Sequence, residues 1–141
     1  MGGRGTIIQT RLLQRAWLWL PPLALMAVIF QLSSQTDPLP AVTEHVWDKA
    51  LHFGVYAALG LLFVRAFRGE GTGWIAAAAL ALLATSAYGA SDEWHQLFTP
   101  GRQSGVDDWI ADTLGGAMGV ATFAFLARTR FMAWTRSPGR S

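Results

Sequence analysis

The sequence predicts an all-α integral membrane bundle of four transmembrane helices, with the N- and C-termini both cytoplasmic. Three observations predict it. Of the 141 residues, 52% are hydrophobic and only 14% are charged, against roughly 25% charged in soluble domains. Four apolar stretches each approach the roughly 20 residues that carry a helix across hydrocarbon. The basic residues gather on one side of the arrangement that these stretches impose.

The first stretch, 16–32, contains Pro21 and Pro22. A helix there is expected either to kink at the prolines or to begin at Pro21 after an interfacial turn. Arg4, Arg11 and Arg15 would also suit the basic flank of a cleaved signal peptide. The segment runs out in Gln31-Leu32-Ser33-Ser34-Gln35, with no small-x-small cleavage site, so a retained helix is expected. Further spans are expected over 49–67, 73–98 and 108–127. The chain thus divides into a basic cytoplasmic segment (1–15), a transmembrane domain (16–127) and a basic, frayed cytoplasmic tail (128–141). Thr36-Asp37-Pro38-Leu39-Pro40 reads as an extended outer loop stiffened by proline.

With the N-terminus inside, the inner side holds Arg4, Arg11, Arg15, Arg65, Arg68, Arg128, Arg130, Arg136 and Arg140, and the outer side only Lys49 and Arg102. The acids reverse this: Glu70 alone is inner, while Asp37, Glu44, Asp48, Asp92, Glu93, Asp107, Asp108 and Asp112 are outer. The arginine bias sets the orientation. The isoelectric point near 9.7 therefore reflects topology, and no nucleic-acid partner is expected. Cysteine is absent, which excludes disulfides, thiolate metal sites and a cysteine nucleophile.

The outer ends of the helices are dense in chemistry-bearing residues. Asp48, His52 and Tyr56 recur at intervals of four and share a helix face, with His45 one turn earlier and Lys49 alongside to pair with a carboxylate. Tyr88, Asp92, His95 and Gln96 fall within an arc of about 100°, with Glu93 about 60° further round. Pro100-Gly101 signals a turn that returns Arg102 over the outer mouth. Asp107 and Asp108 suit a helix N-terminus. Asp112 lies one turn deeper on a stripe with Gly115 and Gly119, a small-xxx-small pattern that turns Asp112 toward a neighbouring helix. Taken singly, these residues read as caps, solvated loop residues, packing devices or a snorkelling lysine. Taken together, three helix ends bring Asp48, His52, Asp92, Glu93, His95, Gln96, Arg102 and Asp112 to one side of a membrane, where ionisable groups are costly.

The motifs Ser33-Ser34-Gln35, Asp48-Lys49-x-x-His52-x-x-x-Tyr56, Asp92-Glu93-Trp94-His95-Gln96, Pro100-Gly101-Arg102 and Asp108-x-x-x-Asp112-x-x-Gly115 resemble those of the VanZ-like family of small bacterial membrane proteins, in order and spacing, over roughly residues 30–119. Some members carry Asn at the place of Asp112. The resemblance implies a multi-pass protein of the bacterial cytoplasmic membrane, a role in the cell envelope and, through the founding member, low-level resistance to the glycopeptide teicoplanin. It also implies a ligand-binding set of Ser34, Gln35, Lys49, Tyr56, Gln96, Arg102 and Asp108 around the candidate catalytic residues Asp48, His52, Asp92, Glu93, His95 and Asp112.

Three functional readings follow. In the first, an enzyme at the outer boundary uses His52 or His95 as acid or base, oriented by Asp48 or Asp92, with Glu93 as a second acid or base. Lys49 and Arg102 then hold the anionic head group of a lipid-linked or phosphate-bearing envelope substrate. In the second, the acidic mouth binds a cationic or amine-bearing ligand, or a peptidoglycan precursor, without reaction and alters the access of other molecules to it; a lipid-linked cell-wall precursor or a glycopeptide is the expected partner. In the third, the polar residues pin short helices together and activity lies in a partner. Membrane lipids are expected partners, and homo-oligomerisation through Gly115 and Gly119 is left open. No organic cofactor is expected. Two histidines among carboxylates suit a divalent metal, although their spacing matches no specific metal motif.

Overall fold

The computed structural model describes residues 3–36, 45–102 and 104–135, with side chains described from residue 9 to 129 apart from 37–48 and 103. The loop acids Asp37 and Glu44, the side chains of His45, Asp48 and Arg130, and the tail arginines Arg136 and Arg140 lie outside the described residues. Four helices follow in order: α1 (Gly3–Ser33), α2 (His45–Gly69), α3 (Trp74–Gln96) and α4 (Val106–Thr135). Each is long and apolar enough to cross a membrane. Side chains such as Leu13, Trp17, Ile75, Leu83, Trp94, Phe98 and Phe125 stand exposed, as lipid-facing residues do, while the interior is small: Ile29, Tyr56, Leu59, Val64, Ala77 and Ala81 are buried.

Helix α2 is the centre of the bundle, touching α1, α3 and α4; α1 and α4 do not meet among the described residues. The closest approach is between α2 and α4, which run parallel. A Cβ at Gly115 would strike the Phe53 carbonyl, one at Gly119 the Ala57 carbonyl, and one at Gly60 the backbone of Gly116. The small-xxx-small stripe is therefore spent inside the chain, holding α4 against the backbone of α2.

Both described turns between helices depend on residues with special backbone freedom. After α2, Gly71 takes φ of +89°, and the Gly71 and Thr72 amides donate back to the carbonyls of Arg68 and Phe67 at 3.1 Å, the Schellman closure of a helix. After α3, the Arg102 amide donates to the Thr99 carbonyl at 3.2 Å with Gly101 at φ of +82°. This is the turn that Pro100-Gly101 predicts.

Helix α1 starts at Gly3 and continues through Pro21 and Pro22, so of the two expected alternatives the start at Pro21 is the one that does not occur. Pro21 has no N–H for the carbonyl of Trp17, one turn earlier. Arg65 of α2 supplies the missing donor: its Nη1 donates to the Trp17 carbonyl at 3.2 Å, and its guanidinium lies 5.7 Å from the centre of the Trp17 ring. At the same end, Glu70 pairs with Arg15 at 3.2 Å and accepts from Trp19 Nε1 at 3.1 Å, fastening α1 to the end of α2.

The Arg65 contact is testable by a double-mutant cycle. Arg65→Ala is expected to destabilise the protein by about 1 kcal/mol, the net worth of a partly exposed hydrogen bond to a charged donor. In a Pro21→Ala background, where the helix supplies its own N–H, the same change is expected to cost clearly less. Thermal unfolding in detergent measures both; equal costs in the two backgrounds would show that Arg65 does not serve the proline gap.

Candidate functional site

Helices α1 and α3 end where α2 and α4 begin, so one end of the bundle collects the C-terminal turns of two helices and the N-terminal turns of the other two. The centre forms where α2, α3 and α4 converge. His52, on the first turns of α2, places Nδ1 3.0 Å from Oδ1 of Asp112, a carboxylate with no solvent exposure. Gly89 makes room for it: a Cβ there would lie 3.0 Å from that of Asp112. Glu93, from α3, completes a trio whose ligand atoms all lie within 4.8 Å of one another.

Behind the trio runs a polar chain. The His52 and Tyr56 rings are parallel, 6.3 Å apart, as their shared face predicts. The Tyr56 hydroxyl donates to Oδ2 of Asp92 at 3.3 Å, and Nε2 of Gln96 donates to the same oxygen at 3.2 Å. Arg102, folded back by the Pro100-Gly101 turn, donates to Oε1 of Gln96 through Nε and Nη2 at 3.3 and 3.2 Å. The turn thus returns Arg102 to the mouth, held by Gln96.

Each of the three buried carboxylates is half satisfied. Asp92 engages Oδ2, Glu93 accepts from the Gly105 amide at 2.9 Å through Oε2, and Asp112 engages Oδ1. Their other oxygens, Oδ1 of Asp92, Oε1 of Glu93 and Oδ2 of Asp112, are buried without a hydrogen-bond partner. A buried oxygen left this way costs about 1–3 kcal/mol, more when the group is charged.

The remaining candidates sit apart. His95 turns toward α1: its Nε2 lies 3.1 Å from the Ser34 hydroxyl and its ring 4.6 Å from that of Phe30. Ser34 and His95 therefore form a second pair, separate from the His52 centre. A cleft of about 380 Å³, lined by Phe30, Tyr88, Asp92, Trp94, His95 and Phe98 among others, opens on this side. Lys49 bonds Asp107 at the exposed rim, so Asp107 is an ion-pair partner as well as a first-turn acid. Asp108 is half-buried in the first turn of α4, and Gln35 is exposed just past α1. The Asp48 side chain lies outside the described residues.

Two participants escape a reading of the sequence. The Gly105 amide, which holds Glu93, carries no side-chain signal; a glycine just before the acidic start of α4 is its only trace. Gly89 sits in an Ala- and Ser-rich run and reveals its role only against Asp112 on another helix.

No match was found among curated proteins or among solved structures. Residues 9–127 match the VanZ/LLP1 family. That range runs from α1 to near the end of α4 and takes in every residue of the polar end, so the fold, the site and the match coincide, and the chain belongs to the VanZ/LLP1 family.

Proposed function

We propose that this protein is a membrane-boundary enzyme that activates water against the anionic head group of a lipid-linked cell-envelope molecule. The reactive centre is His52, Glu93 and Asp112, with Asp92 behind it. Arg102 and Lys49 stand at the mouth, where they would hold a phosphate or another anion. One observation carries the reading: three carboxylates are buried side by side at one end of a membrane bundle, and each keeps an oxygen unpaired. A network that served only to pin helices would be selected for closure of those bonds, since partial satisfaction in a low-dielectric interior is costly. Buried carboxylates that each keep an open valence beside a histidine are what a reacting centre requires.

The distribution of arginine supports a cytoplasmic location for both termini and an outward-facing polar end, in a bacterial cytoplasmic membrane. An outward site reaches lipid-linked cell-wall intermediates and surface glycolipids. The cleft between α1 and α3 suits the first length of a lipid tail, and Asp92 and His95 are among its lining residues. In this reading, the glycopeptide resistance implied by resemblance is a consequence of altered envelope chemistry.

Because the chain has no cysteine, its orientation is directly measurable with single introduced thiols. Thr36→Cys is expected to react with a membrane-impermeant maleimide on intact cells, and Thr129→Cys only after permeabilisation; the reverse pattern would overturn the outward site. The centre itself is tested by His52→Ala and Glu93→Gln. Both are expected to stay folded in the membrane, melting within a few degrees of the parent, yet to lose all effect on glycopeptide susceptibility and envelope stress. Arg102→Ala is expected to reduce the effect without abolishing it. Full complementation by His52→Ala and Glu93→Gln would end the enzymatic reading, and collapse of expression in both would return the residues to a scaffolding role.

A further inference from the structure

We infer that the centre is a binding site for one divalent first-row transition-metal ion, coordinated by His52, Glu93 and Asp112. This rests on the proposed function for the use of the ion, but not for its binding. One ring nitrogen of His52 and one oxygen from each of Glu93 and Asp112 lie within 4.8 Å of one another. An ion about 2.0–2.2 Å from each ligand holds tetrahedral ligands about 3.4 Å apart, so binding would draw the three groups closer together.

Three independent features point to a cation rather than to packing. The unpartnered oxygens of Glu93 and Asp112 belong to side chains more than nine-tenths buried, where a vacant lone pair is costly. The second oxygen of Glu93 is fixed by the Gly105 amide. Such outer hydrogen bonds orient a ligating carboxylate. Finally, two carboxylates and a neutral imidazole would, as ligands, carry two negative charges, the complement of a divalent ion. The protein's own basic groups near this end are engaged elsewhere: Lys49 bonds Asp107 at the rim and Arg102 is bonded to Gln96.

The donor set selects the class of ion. Imidazole favours zinc, iron and their neighbours, while carboxylates alone suit magnesium or calcium. One nitrogen and two oxygens favour Zn²⁺ or Mn²⁺ over Mg²⁺, which prefers oxygen ligands and retains its waters. Three protein ligands leave a coordination position open, the arrangement of catalytic rather than structural zinc. An ion held there would supply what the proposed reaction lacks, a water acidified toward neutral pH. Asp92, held by Tyr56 and Gln96, lies outside the ligand set.

The test uses the full chain, purified in detergent, stripped with chelator and titrated separately with Zn²⁺, Mn²⁺ and Mg²⁺. Metal content is read by mass spectrometry after desalting, and thermal stability in parallel. One Zn²⁺ or Mn²⁺ per chain is expected, with a rise in melting temperature. Glu93→Gln and His52→Ala are expected to weaken binding by about tenfold or more. His95→Ala is expected to bind as the parent does. A folded parent that retains no ion, or that binds Mg²⁺ in preference, would overturn the proposal, as would parent-like binding by Glu93→Gln and His52→Ala. If ion binding fails while His52→Ala still abolishes the envelope effect, the ion falls and the enzymatic reading stands. If binding holds and the envelope assays stay flat, the site is a metal site and the enzymatic reading falls.

Discussion

The near-contact of backbone with backbone between α2 and α4 sets the rest of the structure. In lipid no hydrophobic force draws helices together, so close packing must. Gly115 and Gly119 provide it by admitting the carbonyls of Phe53 and Ala57 into van der Waals range. The two glycines are four residues apart, as are the two carbonyls, so the parallel helices are locked in register as well as distance. One turn toward the polar end, that register brings His52 opposite Asp112. The pair is thus a consequence of the glycine contact: a larger residue at position 115 or 119 would push α4 outward and widen the histidine–carboxylate gap without touching either partner. Helix α3 is then positioned on the same pair, because Gly89 packs on Asp112.

The energetics of the polar end follow from this geometry. Held by backbone contact, Asp112 cannot withdraw to water, and it is fully buried. Burial of ionised groups in a low dielectric is repaid only by close, complete pairing. Pairing here is incomplete in the same way three times, with one oxygen of each carboxylate bound and one open. An incidental defect would leave one orphan. A repeated half-satisfaction, on side chains delivered by α3 and α4 beside a histidine from α2, is a coordinated feature of the convergence of three helices.

Much of this was legible in the sequence, and the limits have physical causes. Hydropathy located the four spans because lipid imposes a length of apolar chain that little else demands. The Pro100-Gly101 turn and the Gly115/Gly119 stripe were legible because each is a local rule with a steric basis. The extent of α1 was not: proline lacks a donor wherever it stands, and whether the helix survives depends on a partner such as Arg65, 44 residues on in the chain. Periodicity likewise placed His95 on an arc with Asp92 and Gln96, but an arc of that width spans two neighbours. His95 meets the end of α1 while Asp92 meets Tyr56 of α2. A helical wheel gives the face of a residue; which helix lies against that face is a property of the assembled bundle.

The charge asymmetry sets the surroundings of the open carboxylates. Arg11, Arg15, Arg65, Arg68 and Arg128 all stand at the end of the bundle opposite the site, the distribution that membrane insertion favours. A protein inserted this way carries few cations to its other end, and the two that are there, Lys49 and Arg102, work at the rim. A buried acidic centre at that end has His52 as its close partner, 3.0 Å from Asp112. The convergence of His52 with two carboxylates, Glu93 and Asp112, that each keep one oxygen unpartnered is what the proposed cation site rests on.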